Sequence, residues 1–430
     1  MRGLGGEAPI LSLTKPPTIF LCTPLLYFLA RSNSNTLSYG TDMLNRLDDI
    51  APFMAMDIAR QGRQFPDTVH MELGEPDLSP PPAVVEGVQR AMTDNRYAYT
   101  PALGLRELRE EIAQHYNYKY GVDVSPDRVI VTPGTSGAFL VALGIVLNAG
   151  DILCLPDPSY PCYKNFAHYL DITPTFISVG KDTSFEITPE ALQHAKDIKA
   201  LLISSPANPT GRLYDKANLK ALIEHCNNSG VTFVSDEIYH GLVYGATEHT
   251  ALEFSDDVIV INGFSKSFCM PGFRIGWMIV PEAWVRRAEI VISSIFIAAN
   301  TIAQYAACEA FDYAWLADIN KTFAARRDFL YGGLQGLVDL PVLPDGAFYV
   351  WADISRYITG TQRHSDGGSH VDSVAFANAL LQSRHVAITP GIDFGRNATS
   401  HHVRLTYTSP IDVLQRGIDG IKSFIGESLP

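Results

Sequence analysis

The 430-residue chain has no C-x-x-C pair, no H-E-x-x-H or comparable spacing among its twelve histidines, and no excess of basic residues. Each absence excludes something. The six cysteines, Cys22, Cys154, Cys162, Cys226, Cys269 and Cys308, are scattered. A chain of this size needs no disulfide staples, so they read as reduced core or near-site residues of a cytoplasmic protein. Without clustered ligands, no metal is expected. Lys plus Arg total 33 against 46 for Asp plus Glu, a net charge of −13. That balance argues against nucleic acid or an anionic membrane surface as a partner. It does not bear on small substrates, because a site can be locally basic in an acidic protein. Nor is there a run long enough to span a bilayer. The apolar stretch "TIFLCTPLLYFLA" (18–30) has only thirteen residues and contains Pro24. Two readings of it stay open: the h-region of a signal peptide, with Arg2 and Lys15 before it, or an extension upstream of a start at Met43.

What is present is a large apolar content, 46% hydrophobic and 10% aromatic. That suffices for a sizeable core and is long for one domain. Residues 1–42 read as an N-terminal extension. Residues 43–80 read as an N-terminal arm and part of a small domain, 81–305 as a large domain and 306–430 as a small C-terminal domain. Helical periodicity runs over 81–94 and 104–121. Seven short apolar runs follow, at 128–132, 151–156, 173–179, 200–205, 231–237, 258–264 and 274–280, with helical segments at 136–148, 160–170, 189–198 and 215–229. Strand and helix alternating at this spacing predict an α/β fold, a mainly parallel seven-stranded sheet flanked by helices. After a long helical stretch at 318–337, three runs (346–354, 385–391 and 402–408) predict a smaller α+β domain. The polar, Gly-rich "TGTQRHSDGGSH" (359–370) reads as a surface loop.

Open α/β sheets bind ligands at the carboxyl ends of their strands. Those ends carry "PGTSGA" (133–138), "DPSYPCY" (157–163), "PANPTG" (206–211), "DEIYHG" (236–241) and "SK" (265–266). Taken one at a time they are ordinary: a Gly-Ser turn, a packed aromatic, a proline turn. Together they gather a phosphate cradle, an amide, a carboxylate, a phenol, a lysine and an arginine at one sheet edge. Pyridoxal 5'-phosphate requires such a set. Asp236 ends an apolar strand, where a carboxylate is costly unless it has a partner.

In "GEPD" (74–77), "YTPALGLRELRE" (99–110), "NPTG" (208–211), "DEIY" (236–239), "FSKSFCMPGFRIG" (264–276) and "VRLTY" (403–407), the chain resembles the fold type I pyridoxal-phosphate aminotransferases of class I/II, the aspartate aminotransferase superfamily. The resemblance runs from about Asn45 to the C-terminus. It implies a homodimer with shared sites and amino acid and 2-oxo acid substrates, exchanged by a ping-pong mechanism through a Lys266 Schiff base. It implies that Lys266 is also the proton-transfer base and that Asp236 pairs with the pyridine nitrogen. Asn208 and Tyr239 would hold the phenolic oxygen. Gly134, Thr135, Ser136 and Arg274 would bind the phosphate, with Ser265 beside them, and Tyr160 would stack on the ring. Arg404 would clamp the substrate α-carboxylate, Gly74 would let backbone approach it, and Tyr99 would reach the phosphate of the neighbouring subunit. Phe53, Phe348 and Tyr349 are candidates for an apolar side-chain pocket.

Two positions depart from the family. Where a hydroxyl three residues before the lysine usually helps bind phosphate, this chain has Gly263. Where one bacterial branch of aspartate aminotransferases has a lysine serving a dicarboxylate substrate, it has Ser136. Two alternatives remain. One is a carbon–sulfur lyase using the same cofactor. The other is a non-enzymatic sensor, for which no DNA-binding segment precedes the resemblance.

Overall fold

The computed structural model describes residues 49–358 and 372–427. The expected N-terminal extension and the loop at 359–370 lie outside the described residues. Twelve strands occur among the described residues: β1 (Val69–His70), β2 (Val129–Thr132), β3 (Ile152–Asp157), β4 (Thr173–Ser178), β5 (Ile198–Ser204), β6 (Thr232–Asp236), β7 (Val258–Gly263), β8 (Gly276–Ile279), β9 (Tyr349–Asp353), β10 (Val386–Ala387), β11 (Thr389–Pro390) and β12 (His402–Thr406).

Seven of these form one sheet in the order β2-β8-β7-β6-β5-β3-β4. Five neighbours, β7 through β4, run parallel, and β8 runs antiparallel to both β7 and β2. Because β2 and β7 are both antiparallel to β8, β2 points the same way as the parallel strands. Six carboxyl ends therefore meet at one edge. Side chains alternate across a strand, and here the alternation separates two cores. Val129, Val131, Leu201, Ile203, Val258, Val260 and Trp277 join the core on one face. Their neighbours Ile130, Ala200, Leu202, Ile259, Ile261 and Met278 join the core on the other. With both faces covered, these strands read in the sequence as unbroken apolar runs.

The smaller lobe holds the antiparallel sheet β11-β12-β9 and the parallel pair β1-β10. Its core packs β9 and β12 against the helices Tyr313–Leu334, Ser373–Arg384 and Ile411–Glu427. Three boundaries differ from expectation. The helix expected over 189–198 is only Pro189–Gln193, because β5 already begins at Ile198. The run 385–391 forms two short strands that pair with different partners, β10 with β1 and β11 with β12. The long helix starts earlier, at Tyr313, where the Asp312 carboxylate accepts from the amides of Ala314 and Trp315.

Candidate active site

The strand ends deliver their residues to one cavity of about 430 Å³. Asp236 is the last residue of β6, and Lys266 follows β7 by three residues. Asn208 lies four residues past β5, Tyr160 three past β3, and Thr135 and Ser136 open the helix Gly134–Val146 after β2. All of them line the cavity, together with Gly74, Tyr239, Ser265, Arg274 and Arg404.

Lys266 is partly buried, and its Nζ donates to the Gly74 carbonyl at 2.6 Å. Burial pushes its amine down to about 8, and the Arg404 and Arg274 charges add to that against Glu75 and Asp236. The amine therefore sheds its proton much nearer neutrality than an exposed lysine does. Asp236 is 4% exposed. The Tyr163 hydroxyl donates to its Oδ2, and the Ile238 amide donates to Oδ1 at 3.1 Å. Burial pushes this carboxyl up to about 6, against the two hydrogen bonds.

Arg404 is 1% exposed. Its Nη1 donates to Asn208 Oδ1 at 3.0 Å, and its Nη2 donates to the Glu72 carbonyl at 2.5 Å and to Thr389 Oγ1 at 3.2 Å. A guanidinium has five N–H donors, and Nε is buried with no partner among the described residues. Spare donors on a buried cation that faces a cavity are what a carboxylate ligand requires.

At the other end, Gly134 has φ +67°, and a Cβ built there would fall 2.5 Å from Arg274 Nη2. Only a glycine lets the helix start come this close to the guanidinium. Arg274 itself takes a left-handed conformation, φ 54°, after the turn Pro271–Phe273. No carboxylate among the described residues pairs with it. Its Nη1 donates to the Pro271 carbonyl at 2.9 Å, which leaves donors to spare, and a helix N-terminus beside such a guanidinium suits a phosphate. Gly263 faces Gly276 across β7 and β8. A Cβ at 263 would meet Gly276 Cα at 3.0 Å and Thr135 Cγ2 at 3.2 Å. The hydroxyl missing at Gly263 therefore goes with close packing of the helix start at Thr135 on two facing glycines.

The donor set fits pyridoxal phosphate: an amine that deprotonates near neutrality, a buried carboxylate, a phenol and amide, and an anion cradle. The structure does not bring Tyr99 into this cavity. It is 83% exposed, on the loop before the helix Arg106–Tyr120. Phe348 is fully buried behind Tyr239, its ring at 5.4 Å and nearly perpendicular, rather than in the wall.

Three contributions were not foreseen as site features. Tyr163, three residues after Tyr160, partners Asp236. Tyr349, expected only as apolar wall, places its hydroxyl 2.6 Å from that of Tyr239. The helix Met54–Gly62 carries Met56 to the cavity, with Arg63 just after it; Phe53, just before it and expected as pocket wall, also lines the cavity. Its first-turn amides, Met54 and Ala55, donate to Asp393, a favourable place for a carboxylate.

Gly74 offers a direct test of how tightly this site is packed. A Cβ there would stand 2.0 Å from the Tyr349 hydroxyl oxygen. Gly74→Ala is therefore expected to destabilise the fold by about 1–3 kcal/mol, the usual cost of overpacking. A shift of the urea midpoint measures it; an unchanged midpoint would show that the Tyr349 ring retreats freely.

The family "Aminotransferase class I and II" matches residues 66–421. A valine–pyruvate aminotransferase of Mycobacterium tuberculosis is 33% identical over 396 residues, covering 90% of this chain and 99% of that protein. An aspartate aminotransferase of Bacillus subtilis is 30% identical over 400 residues, covering 89% and 98%. Among solved structures, an aminotransferase from Mycobacterium tuberculosis superposes with a TM-score of 0.83 at 33% identity, covering 90% of this chain and all of that one. The aspartate aminotransferase of Thermus thermophilus with maleate gives 0.81 at 30%, covering 88% and 98%.

Proposed function

Because the chain belongs to the class I and II aminotransferases, a family of pyridoxal-phosphate-dependent enzymes, we propose that it moves an amino group from an L-amino acid to a 2-oxo acid in two half-reactions at the Lys266 site. The observation that carries this reading is the position of Lys266. Its amine is poorly solvated, shares a cavity with Asp236 and Arg404, and titrates at about 8. When bound, the cofactor supplies an aldehyde for a neutral amine and a ring that spreads the electrons left by loss of the substrate α-proton.

The chain's own residues do the rest. Lys266 Nζ would hold the cofactor through its aldehyde carbon and, freed by the substrate amine, would be the base for the α-proton. Asp236 would keep a proton on the ring nitrogen, and Tyr163 and the Ile238 amide fix the carboxylate for that task. Tyr239 and Asn208 hold the phenolic oxygen. Gly134, Thr135, Ser136, Ser265 and Arg274 would hold the phosphate, and Tyr160 would stack on the ring. Arg404 takes the substrate α-carboxylate with its spare donors, at the level of Gly74. Tyr99 completes the site of a second copy in a homodimer. Its exposure, with that of nearby Tyr97 and of Ile295 and Ile297, is consistent with a covered face.

Relatives are named for both valine and aspartate. The walls favour an apolar donor: Phe53, Met56, Leu73, Ile238 and Tyr349 line the cavity, and Ser136 stands where a lysine would serve a second carboxylate. A panel of amino acids assayed with pyruvate and with 2-oxoglutarate tests the reading. Apolar donors are expected to exceed aspartate in kcat/KM by about tenfold or more, the scale of burying a side chain or two extra methylenes. Aspartate as the preferred donor would reverse the substrate assignment. Release of ammonia and a 2-oxo acid from a sulfur amino acid, with no acceptor added, would identify the lyase chemistry instead.

A further inference from the structure

Tyr349 stands between the two functional ends of the cavity. It opens β9 and pairs with Thr406 of β12. Residues two apart on a strand face the same side, so Arg404 is its diagonal cross-strand neighbour, within reach of a long side chain. The guanidinium carbon of Arg404 lies 4.3 Å from the centre of the Tyr349 ring, and the Phe394 ring lies at 4.8 Å. A planar guanidinium is held flat by aromatic faces. At its far end, the Tyr349 hydroxyl meets Tyr239 at 2.6 Å. The side chain is 1% exposed, so neither contact is replaced by solvent.

A count of protons gives the hydroxyl contact a direction. A phenol has one proton to donate. If Tyr239 donates its own to a ligand oxygen, the 2.6 Å contact must run from the Tyr349 O–H to the Tyr239 oxygen. A bond donated into a hydroxyl oxygen strengthens that hydroxyl as a donor. We propose that Tyr349 is a positioning residue with two separable tasks: its ring aims Arg404 at the substrate carboxylate, and its hydroxyl orients and strengthens Tyr239 as a donor to the cofactor's phenolic oxygen. This rests on the pyridoxal-phosphate reading above.

Each task has its own readout. Donation to the phenolic oxygen favours the form of the bound cofactor that has lost its proton. Its visible absorption band therefore shifts at a lower pH than it would without the donor. Tyr349→Phe keeps the ring and removes only the hydroxyl. It is expected to raise the midpoint of that spectral shift by about 0.3–1 pH unit and to leave KM for the amino donor within about twofold, as a neutral hydrogen bond at one remove implies. Tyr349→Leu removes both. It is expected to raise the midpoint likewise and to raise KM about tenfold, as loss of a desolvated cation–ring contact implies. Far-ultraviolet circular dichroism of both loaded variants establishes that they are folded. An unchanged midpoint in Tyr349→Phe overturns the hydroxyl task. A KM in Tyr349→Leu no higher than in Tyr349→Phe overturns the ring task. A wild-type protein that takes up pyridoxal phosphate without any visible band would instead overturn the function on which both tasks rest.

Discussion

Lys266→Ala is expected to lose the visible absorption band of the loaded protein and to lower transamination by at least about 10⁴-fold, the upper range for removing a positioned proton-transfer group. Among the described residues no other lysine lines the cavity, so none of them is placed to take over the aldehyde or the α-proton. Retained turnover would sink the assignment. The fold should tolerate the change, because the lysine gives up one hydrogen bond, to the Gly74 carbonyl. The sign of the charge effect agrees. Folding lowers this amine from 10.5 to about 8, so its protonated form is disfavoured in the folded state. That penalty is present below about pH 8 and fades as pH rises toward 10.5. Removing the amine removes the penalty at neutral pH. The same shift gives a kinetic expectation for the wild-type protein without cofactor. Its capture of pyridoxal phosphate, followed by stopped-flow absorbance, should accelerate with pH up to about 8 and then level off. Acceleration continuing beyond pH 10 would mean that the amine is not desolvated.

Asp236→Asn is expected to lower kcat about 10²–10³-fold, the scale for losing one preorganised electrostatic contact to developing charge. The amide matches the carboxylate in shape but cannot hold a proton on a pyridine nitrogen by charge. The effect should fall on kcat more than on KM, because Arg404 and the phosphate cradle are untouched. Tyr163→Phe provides the comparison: it leaves the charge in place and removes the hydroxyl that fixes it, so its loss should be smaller. If Asp236→Asn keeps the wild-type kcat, the carboxylate has no role in catalysis and its burial has another cause. If Tyr163→Phe costs as much as Asp236→Asn, the orientation of the carboxylate matters as much as its charge.

Much of this site could be read along the chain because a parallel sheet imposes an order on it. Strands buried on both faces appear as apolar runs, and the residues just after them must fall at one edge. That is why Asn208, Asp236 and Lys266, each local to its own strand end, can be placed together from the sequence. Gly134 and Arg274 could be read for a related reason, since a glycine opening a helix and an arginine in a short turn are local features. The helix expected over 189–198 ends at Gln193 and β5 begins at Ile198, where Lys199 interrupts the apolar run and hides the strand's start.

The sequence by itself determined the α/β class, the strand ends, the lysine and the residues set around it, through periodicity and through motifs in which neighbours in the chain are neighbours in space. Only the tertiary structure decided who supports them. Tyr163 meets Asp236 across 73 residues and Tyr349 meets Tyr239 across 110. Arg404 reaches Asn208 from another sheet, 196 residues away. The last two contacts depend on how the small lobe packs over the edge of the large sheet, the first on where the helix Cys162–Tyr169 lies on that sheet's own face. That packing is a sum of many weak, non-local apolar contacts and leaves no short pattern in the chain.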